Sequence, residues 1–372
     1  MKATKVRVAY VGPPLALSGS TMVMLDVLNH LDRDRYEPHL VLRPGAGMDA
    51  AHLFRDDVIV HDARRMRTWW SRGPIADYRF EKYLVDLIET DCPDVFIVDH
   101  RKYNYLFANL KRRYDIRVIN RIGTIISWRL RQTGRNGEFD TARRLLPCSD
   151  AIVVPSTLAK EDLVESFHID ERKITVIYNA LDCDKLSRYS AEELDYQSEA
   201  KILLFVGALD QGKSPGLLLE AFRDLTRVND GLELWFVGDG DERRSLQKYV
   251  QDHDLTSSVR FWGWQSNPYK FFKRADVFVH TSQMDGFGIA LMEAAYFNLP
   301  IVYSEALVGA NELLKKHRIG YPFDLRSKRD LVATVRAALE QPRKKCFASL
   351  EADVSIDRFI QQMEAVIDET LA

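Results

Sequence analysis

The chain has 372 residues, enough for two or three domains at roughly 100–200 residues each. Apolar residues make up 46% and charged residues 28%, a balance that excludes a disordered chain, a collagen-like repeat and a disulfide-rich miniprotein. With 52 Lys and Arg against 54 Asp and Glu the net charge is −2, which argues against a general nucleic-acid binder.

Lys2, Lys5 and Arg7 open the chain, but only the apolar run Val6–Val11 (VRVAYV) follows before Gly12-Pro13-Pro14. That is too short for a signal-peptide core with its cleavage site. The run is rich in β-branched residues and closed by a turn, which predicts a buried strand. Ser18-Gly19-Ser20-Thr21 then leads into MVMLDVLNHL, whose three-to-four spacing of apolar residues predicts a capped amphipathic helix. Strands are expected over 39–42 and 58–60, a helix over 83–88, and strands over 94–98 (DVFIV), 117–120 and 151–154 (AIVV). Strands alternating with helices imply a parallel sheet covered on both faces.

The pattern starts again at 201–206 (KILLFV), a strand followed by a loop over 207–216 and a helix over 217–226. A strand over 232–237 ends in Gly238-Asp239-Gly240, and strands over 259–261, 277–280 and 301–303 follow with helices between. A last amphipathic helix is expected over 356–371. The fold class is therefore α/β, with two Rossmann-like domains: 1–185, completed by the helix 356–371, and 201–350. Residues 186–200, in the polar stretch DKLSRYSAEELDYQSEA, are expected to link them. No run of 18 apolar residues occurs, so no membrane-spanning helix is expected. Cys92, Cys148, Cys183 and Cys346 form no Cys-x-x-Cys pair, and scattered thiols fit a reducing cytosol.

In open α/β sheets ligands sit outside the carboxyl ends of the strands, so the loops there matter most. Between Ser282 and Ala294 two glycines, Gly286 and Gly288, open a helix directly after a strand. Glycine allows close backbone approach, and free N–H groups at a helix start bind phosphate. Asp285 and Glu293 flank this site; a fully helical segment would separate them by about 12 Å, suited to two hydroxyl-bearing parts of one ligand. The plainer alternative is a glycine loop with two solvated acids. A second loop, Gly207 to Ser214, places Lys213 beside a helix start, where it would neutralise a phosphate or simply be solvated.

Gly238-Asp239-Gly240 resembles the start of a dinucleotide fingerprint, but Arg243 stands where the third glycine belongs, so a tight turn is the better reading. Asp182-Cys183-Asp184 and Asp239-Gly240-Asp241 lack a third ligand nearby, and the histidines show no metal-ligand spacing, so no metal or other cofactor is expected. Residues 101–150 carry 12 Lys and Arg against 4 Asp and Glu, and Arg64, Arg65, Arg67 and Arg72 surround Trp69-Trp70. Such mixtures suit an anionic membrane surface or a lipid-linked acceptor, or else a salt-bridged surface around core tryptophans.

Taken together these residues resemble the family 4 glycosyltransferases, most strongly over residues 174–323. Ile177-Tyr178-Asn179-Ala180-Leu181-Asp182 is similar to the family's Asn-Gly-Val-Asp segment. Phe205-Val206-Gly207 with Lys213 and Ala221-Phe222 resembles its phosphate loop. Phe236 to Gly240, Val259 to Gly263, the Asp285-to-Glu293 pair in place of Glu-x7-Glu, Asn298 to Val302 and Gly309-Ala310-Asn311-Glu312 follow in the family's order. The resemblance implies the GT-B fold, two Rossmann-like domains facing a central cleft. It also implies a retaining, metal-independent, hexosyltransferase-type activity that takes a nucleotide-sugar donor to a glycan or lipid-linked acceptor in cell-envelope polysaccharide or lipopolysaccharide synthesis. Location would be cytoplasmic, with peripheral contact at the inner membrane face.

By resemblance Lys213 grips the donor diphosphate, Asp285 meets the sugar hydroxyls and Glu293 binds the ribose. The backbone of Gly207, Gly286, Phe287, Gly288 and Ile289 would line the donor, and Gly19 would lie near phosphate and acceptor. Three departures stand out: Ala208 where the family carries Arg, Asp285 one methylene shorter than Glu, and Arg121 where a His is frequent. Arg121 is expected to restore the missing positive charge. Ala208 and Asp285 also leave room for a catalytically silent subunit of a transferase complex, and related folds serve sugar phosphorylases and epimerases.

Overall fold

The computed structural model describes residues 4–12, 19–43, 51–63, 74–135, 137–229 and 231–372. Its chain forms two compact units. The first comprises residues 1–180 and 356–372, the second 181–355.

In the first unit the strands are β1 (Val6–Val11), β2 (Tyr36–Leu42), β3 (Ile59–Asp62), β4 (Val95–Val98), β5 (Val118–Arg121), β6 (Ala151–Val154) and β7 (Ile174–Val176). All pair in parallel, in the order β3-β2-β1-β4-β5-β6-β7. Val95 to Val98 and Val8 to Val11 are buried throughout, because helices cover both faces and leave no solvent side on which polar residues could alternate. On one face Ala9, Val11, Phe96, Val98 and Val118 pack against Phe80, Leu84 and Phe107 from the helices Pro74–Asp91 and Arg101–Leu110. The last helix, Ile356–Leu371, belongs to this unit: Tyr36 and Arg35 bond Asp368, and Glu364 accepts from the Asp32 amide at 2.8 Å.

The second unit contains β8 (Lys201–Val206), β9 (Leu232–Val237), β10 (Val259–Gly263), β11 (Val277–His280), β12 (Met284–Asp285), β13 (Ile301–Ser304), β14 (Leu307–Val308) and β15 (Tyr321–Phe323). Its main sheet runs β10-β9-β8-β11-β13-β15, again all parallel, while β12 and β14 form a separate two-stranded ladder. Leu203, Phe205, Leu234 and Phe236 meet Leu218, Phe222 and Leu225 of the helix Pro215–Thr226 in its core. A fully buried Leu or Phe side chain contributes about 1.5–3 kcal/mol, so this layer is a main source of the unit's stability.

The segment 186–200, expected as the linker, falls within the second unit. The helix Cys183–Ser190 begins on Asp182, whose carboxylate accepts from the Lys185 amide at 2.8 Å. Downstream, the Tyr196 and Ser198 hydroxyls both donate to Glu233. Polarity along this stretch reflects a hydrogen-bonded surface layer.

Candidate functional site

In the main sheet of the second unit β8 and β11 are neighbours although two strands separate them in sequence. The chain order reverses there, the point of an open α/β sheet where a ligand-binding crevice is expected at the carboxyl ends of the strands. One loop leaving those ends is 207–214, the other runs from Thr281 to Gly288.

Side-chain and backbone bonds hold the two loops together. Thr281 Oγ1 donates to the Lys213 carbonyl at 2.9 Å, the Gln283 amide donates to the Gly212 carbonyl at 2.8 Å, and Gln283 Nε2 reaches Ser214 Oγ at 2.9 Å. Lys213 is thereby set against Asp285, and its Nζ forms an ion pair with Asp285 Oδ2. Both side chains are about a quarter exposed, at 24% and 23%. His280, the last residue of β11, is buried and sits behind the pair. Its Nε2 lies 3.7 Å from Asp285 Oδ2 and 3.0 Å from Ser282 Oγ.

Desolvation would raise the Asp285 carboxyl, but the Lys213 charge and then the His280 ring outweigh it and hold the group well below the usual carboxylate range. Burial and the Lys213 charge lower His280, with Asp285 pulling the other way, so the ring is neutral at pH 7. The crevice thus carries an anion and a cation already matched to one another.

Gly288 has φ of 95°, a left-handed conformation, and a Cβ there would lie 3.1 Å from Leu291 and 3.2 Å from Val308. This glycine turns the chain into the helix Ile289–Tyr296, whose first-turn N–H groups have no partner within the helix. Residues 285–288 are not helical, which corrects the expected spacing of Asp285 and Glu293: only the last four steps rise along a helix, by about 6 Å. Phe287 is a core side chain, 2% exposed, and its backbone is occupied, the amide on Asp285 Oδ1 at 3.3 Å and the carbonyl on the Ala310 amide. Gly288 and Ile289 stand at the start of the helix Ile289–Tyr296.

Desolvation raises Glu293, one helical turn further on, to about 7, against the lowering influence of the Tyr269 hydroxyl and of Lys185. A carboxyl raised from 4.5 to about 7 on folding stabilises the protein below pH 4.5, and that contribution is lost as pH rises through 7. Glu293→Gln should therefore stabilise the ligand-free protein by about 1–3 kcal/mol at pH 8, a shift of two units or so at 1.36 kcal/mol each, discounted for partial exposure. At pH 4 the gain should vanish. Urea unfolding at both pH values checks this, and a gain independent of pH would refute it.

Gly207 and Gly238 serve backbone contact. A Cβ on Gly238 would lie 1.9 Å from the Gly207 carbonyl oxygen, and the Gly207 amide donates to Val237 at 3.0 Å. Gly238-Asp239-Gly240 is thus a close-packed strand exit, with Asp239 bonded to the Gly240 amide and to Arg243. Among the described residues no group of three or more His, Cys, Asp and Glu is placed to hold a metal ion. Ala208 is exposed and brings no charge to the loop.

Arg121 was expected to restore a positive charge near the donor. It is 3% exposed at the end of β5 in the first unit, with Nη1 on Asp99 at 2.6 Å and Nη2 donating to Asn179 at 2.7 Å. Tyr10 donates to the same Asp99 carboxylate at 2.9 Å. Its charge is committed to a buried network joining β1, β4, β5 and the segment after β7. Gly19 is the first, exposed residue of the helix Gly19–His30, while the rest of its loop, 13–18, lies outside the described residues. Arg64, Arg65, Arg67, Trp69, Trp70 and Arg72 also lie outside them. In the basic stretch 101–150, Arg101, Lys102, Lys111, Arg113 and Arg117 all pair with carboxylates, so much of its charge is locally balanced.

The sequence singled out Lys213, Asp285 and Glu293 but not His280, nor the Tyr10–Asp99–Asn179 surroundings of Arg121. His280 carried one readable signal, its position as the last residue of an apolar strand five residues before Asp285.

Residues 190–349 match the family Glycosyl transferases group 1, and residues 17–185 match Glycosyltransferase Family 4. The chain is 31% identical over 285 residues to the lipopolysaccharide core biosynthesis glycosyltransferase LpsE of Rhizobium meliloti, covering 76% of this chain and 75% of that one. It is 28% identical over 199 residues to a Campylobacter jejuni N-acetylgalactosaminyltransferase named for a diphospho-undecaprenol-linked substrate. That match spans about half of each protein, 54% of this chain and 53% of the relative. Among solved structures, Anabaena HepE in complex with UDP and glucose superposes with a TM-score of 0.79 at 16% identity, over 98% of this chain and 100% of that one.

Proposed function

As the chain belongs to the family 4 glycosyltransferases and has their GT-B fold, we propose that it transfers a sugar from a nucleoside-diphosphate sugar to a glycan or lipid-linked acceptor, with retention at the anomeric carbon. The observation that carries this reading is the Lys213–Asp285 pair beside the start of the helix Ile289–Tyr296, at the point where the strand order of the second sheet reverses.

Departure of a nucleoside diphosphate builds negative charge on the leaving oxygen. With donor bound, Lys213 and the amides at Gly288 and Ile289 supply positive potential at that place, already set when the charge develops, so they stabilise the transition state. The proposal is metal-independent for that reason. Lys213 meets the diphosphate as a point charge, Asp285 accepts hydrogen bonds from the hydroxyls of a hexosyl group, and Glu293 accepts from the ribose. The first unit takes the acceptor. The lipopolysaccharide core biosynthesis in one relative's name and the undecaprenol-linked substrate in the other's support an acceptor in cell-envelope glycan synthesis.

Peripheral contact with an anionic membrane, on the cytoplasmic side, goes with a lipid-linked acceptor. No described helix is long and apolar enough to cross a membrane, and the basic Trp-containing segment that suggests contact is known from sequence alone. Co-sedimentation with anionic vesicles at low salt supports this, and protein left wholly in the supernatant refutes it.

The test of the donor is a thermal-shift screen with UDP-, GDP-, ADP- and dTDP-sugars. A donor present at 100 times its Kd should stabilise the protein by about 2.7 kcal/mol. A silent subunit of a transferase complex is the second reading, favoured by Ala208 and by a lysine already paired with Asp285. No response to any nucleotide sugar would select it.

A further inference from the structure

The ligand-free pair poses a chemical problem. Lys213 Nζ rests on Asp285 Oδ2, yet a lysine that turns to a diphosphate withdraws its charge from a carboxylate that is mostly buried. A buried carboxylate left without a partner is costly, so the site needs a second donor for Asp285. Asp285 Oδ1 already accepts from the Phe287 amide, at a long 3.3 Å.

His280 is the side chain in place to supply it. It is 3% exposed, and its Nδ1 is buried without a hydrogen-bond partner among the described residues. Its Nε2 faces two oxygens, Ser282 Oγ at 3.0 Å and Asp285 Oδ2 at 3.7 Å. A neutral imidazole with one nitrogen facing acceptors and the other facing nothing carries its proton on the first, so the network assigns the Nε2–H tautomer. A closer approach of about 0.8 Å would make an ordinary N–H···O bond to the carboxylate.

We propose that His280 is a positioning residue for Asp285: when Lys213 engages the donor diphosphate, the Nε2–H of His280 takes over the carboxylate and keeps it aimed at the sugar. The proposal rests on the donor site described under Proposed function. It adds that the ligand-free ion pair is a resting arrangement, and that donor binding exchanges one partner of Asp285 for another. Ser282, whose hydroxyl sits on the same nitrogen, orients the ring.

The test measures nucleoside-diphosphate binding by calorimetry, using whichever of UDP, GDP, ADP and dTDP binds the native protein, together with melting of the ligand-free protein. His280→Leu should leave ligand-free melting within a few degrees, because Lys213 still holds Asp285, yet weaken binding about tenfold or more. His280→Gln, whose amide N–H reaches the Nε2 position, should bind within about threefold of the native protein, whereas His280→Asn, which reaches only the Nδ1 position, should not. In an Asp285→Asn background His280→Leu should have no further effect on binding, since no charge is left to compensate. Native-like binding by His280→Leu, equal loss with Gln and Asn, or an undiminished effect in the Asp285→Asn background would each overturn the proposal. If His280→Leu does not fold, the Gln and Asn comparison decides alone. Failure of the native protein to bind any of the four nucleotides would instead remove the donor site itself.

Discussion

Lys213→Ala should lower turnover of a nucleotide sugar by about two to three orders of magnitude, the loss typical when one preorganised charge is removed from a developing anion. The same substitution leaves Asp285 with His280 and the Phe287 amide alone, so ligand-free stability should fall as well, by about 1–3 kcal/mol. Lys213→Arg should not restore activity, because a planar fork does not occupy the space of a compact ammonium between two stitched loops. Steady-state turnover beside urea unfolding separates the two effects. Near-native turnover in Lys213→Ala would remove the lysine from the chemistry, whatever happened to stability.

The second large effect lies in the first unit and concerns stability. Arg121→Met should destabilise the protein by about 3–5 kcal/mol, because it leaves the Asp99 carboxylate buried beside Tyr10 with no cation. Adding Asp99→Leu should recover much of that loss, since well-packed apolar groups replace a buried ion pair at little or no net cost. Nucleotide affinity measured where both proteins are folded should stay unchanged. A selective loss of affinity in Arg121→Met, at preserved stability, would mean that this arginine reaches the donor phosphate after all.

How far the sequence reached depended on the reach of the interaction. The long buried strands were legible because a parallel sheet covered on both faces has no polar side, so VRVAYV, KILLFV and LELWFV read as mostly apolar runs, each with a single charged residue. Ile174–Val176 and Tyr321–Phe323 escaped because three residues at a sheet edge give no periodicity to count. Lys213, Asp285 and Glu293 were legible as residue types in loops after strands. Their pairing was not, because 72 positions separate Lys213 from Asp285 and only the fold brings them together. The same limit hid the network around Arg121: its partners Tyr10, Asp99 and Asn179 come from three separate strand ends, far from it in sequence. Residues 186–200 misled in the opposite sense, since composition cannot tell a solvated tether from a polar layer bonded to Glu233.

The discontinuity of the first unit bears on how the polypeptide matures. The helix Ile356–Leu371 follows the second unit in the chain, so the first unit stays incomplete until residues 181–355 have been synthesised. The later-made unit is contiguous, and its two ends are tied by the bond from the Leu181 amide to the Val354 carbonyl at 2.8 Å. It is therefore an insertion whose entry and exit share one spot, free to fold as soon as it emerges, while the unit it interrupts is completed only afterwards.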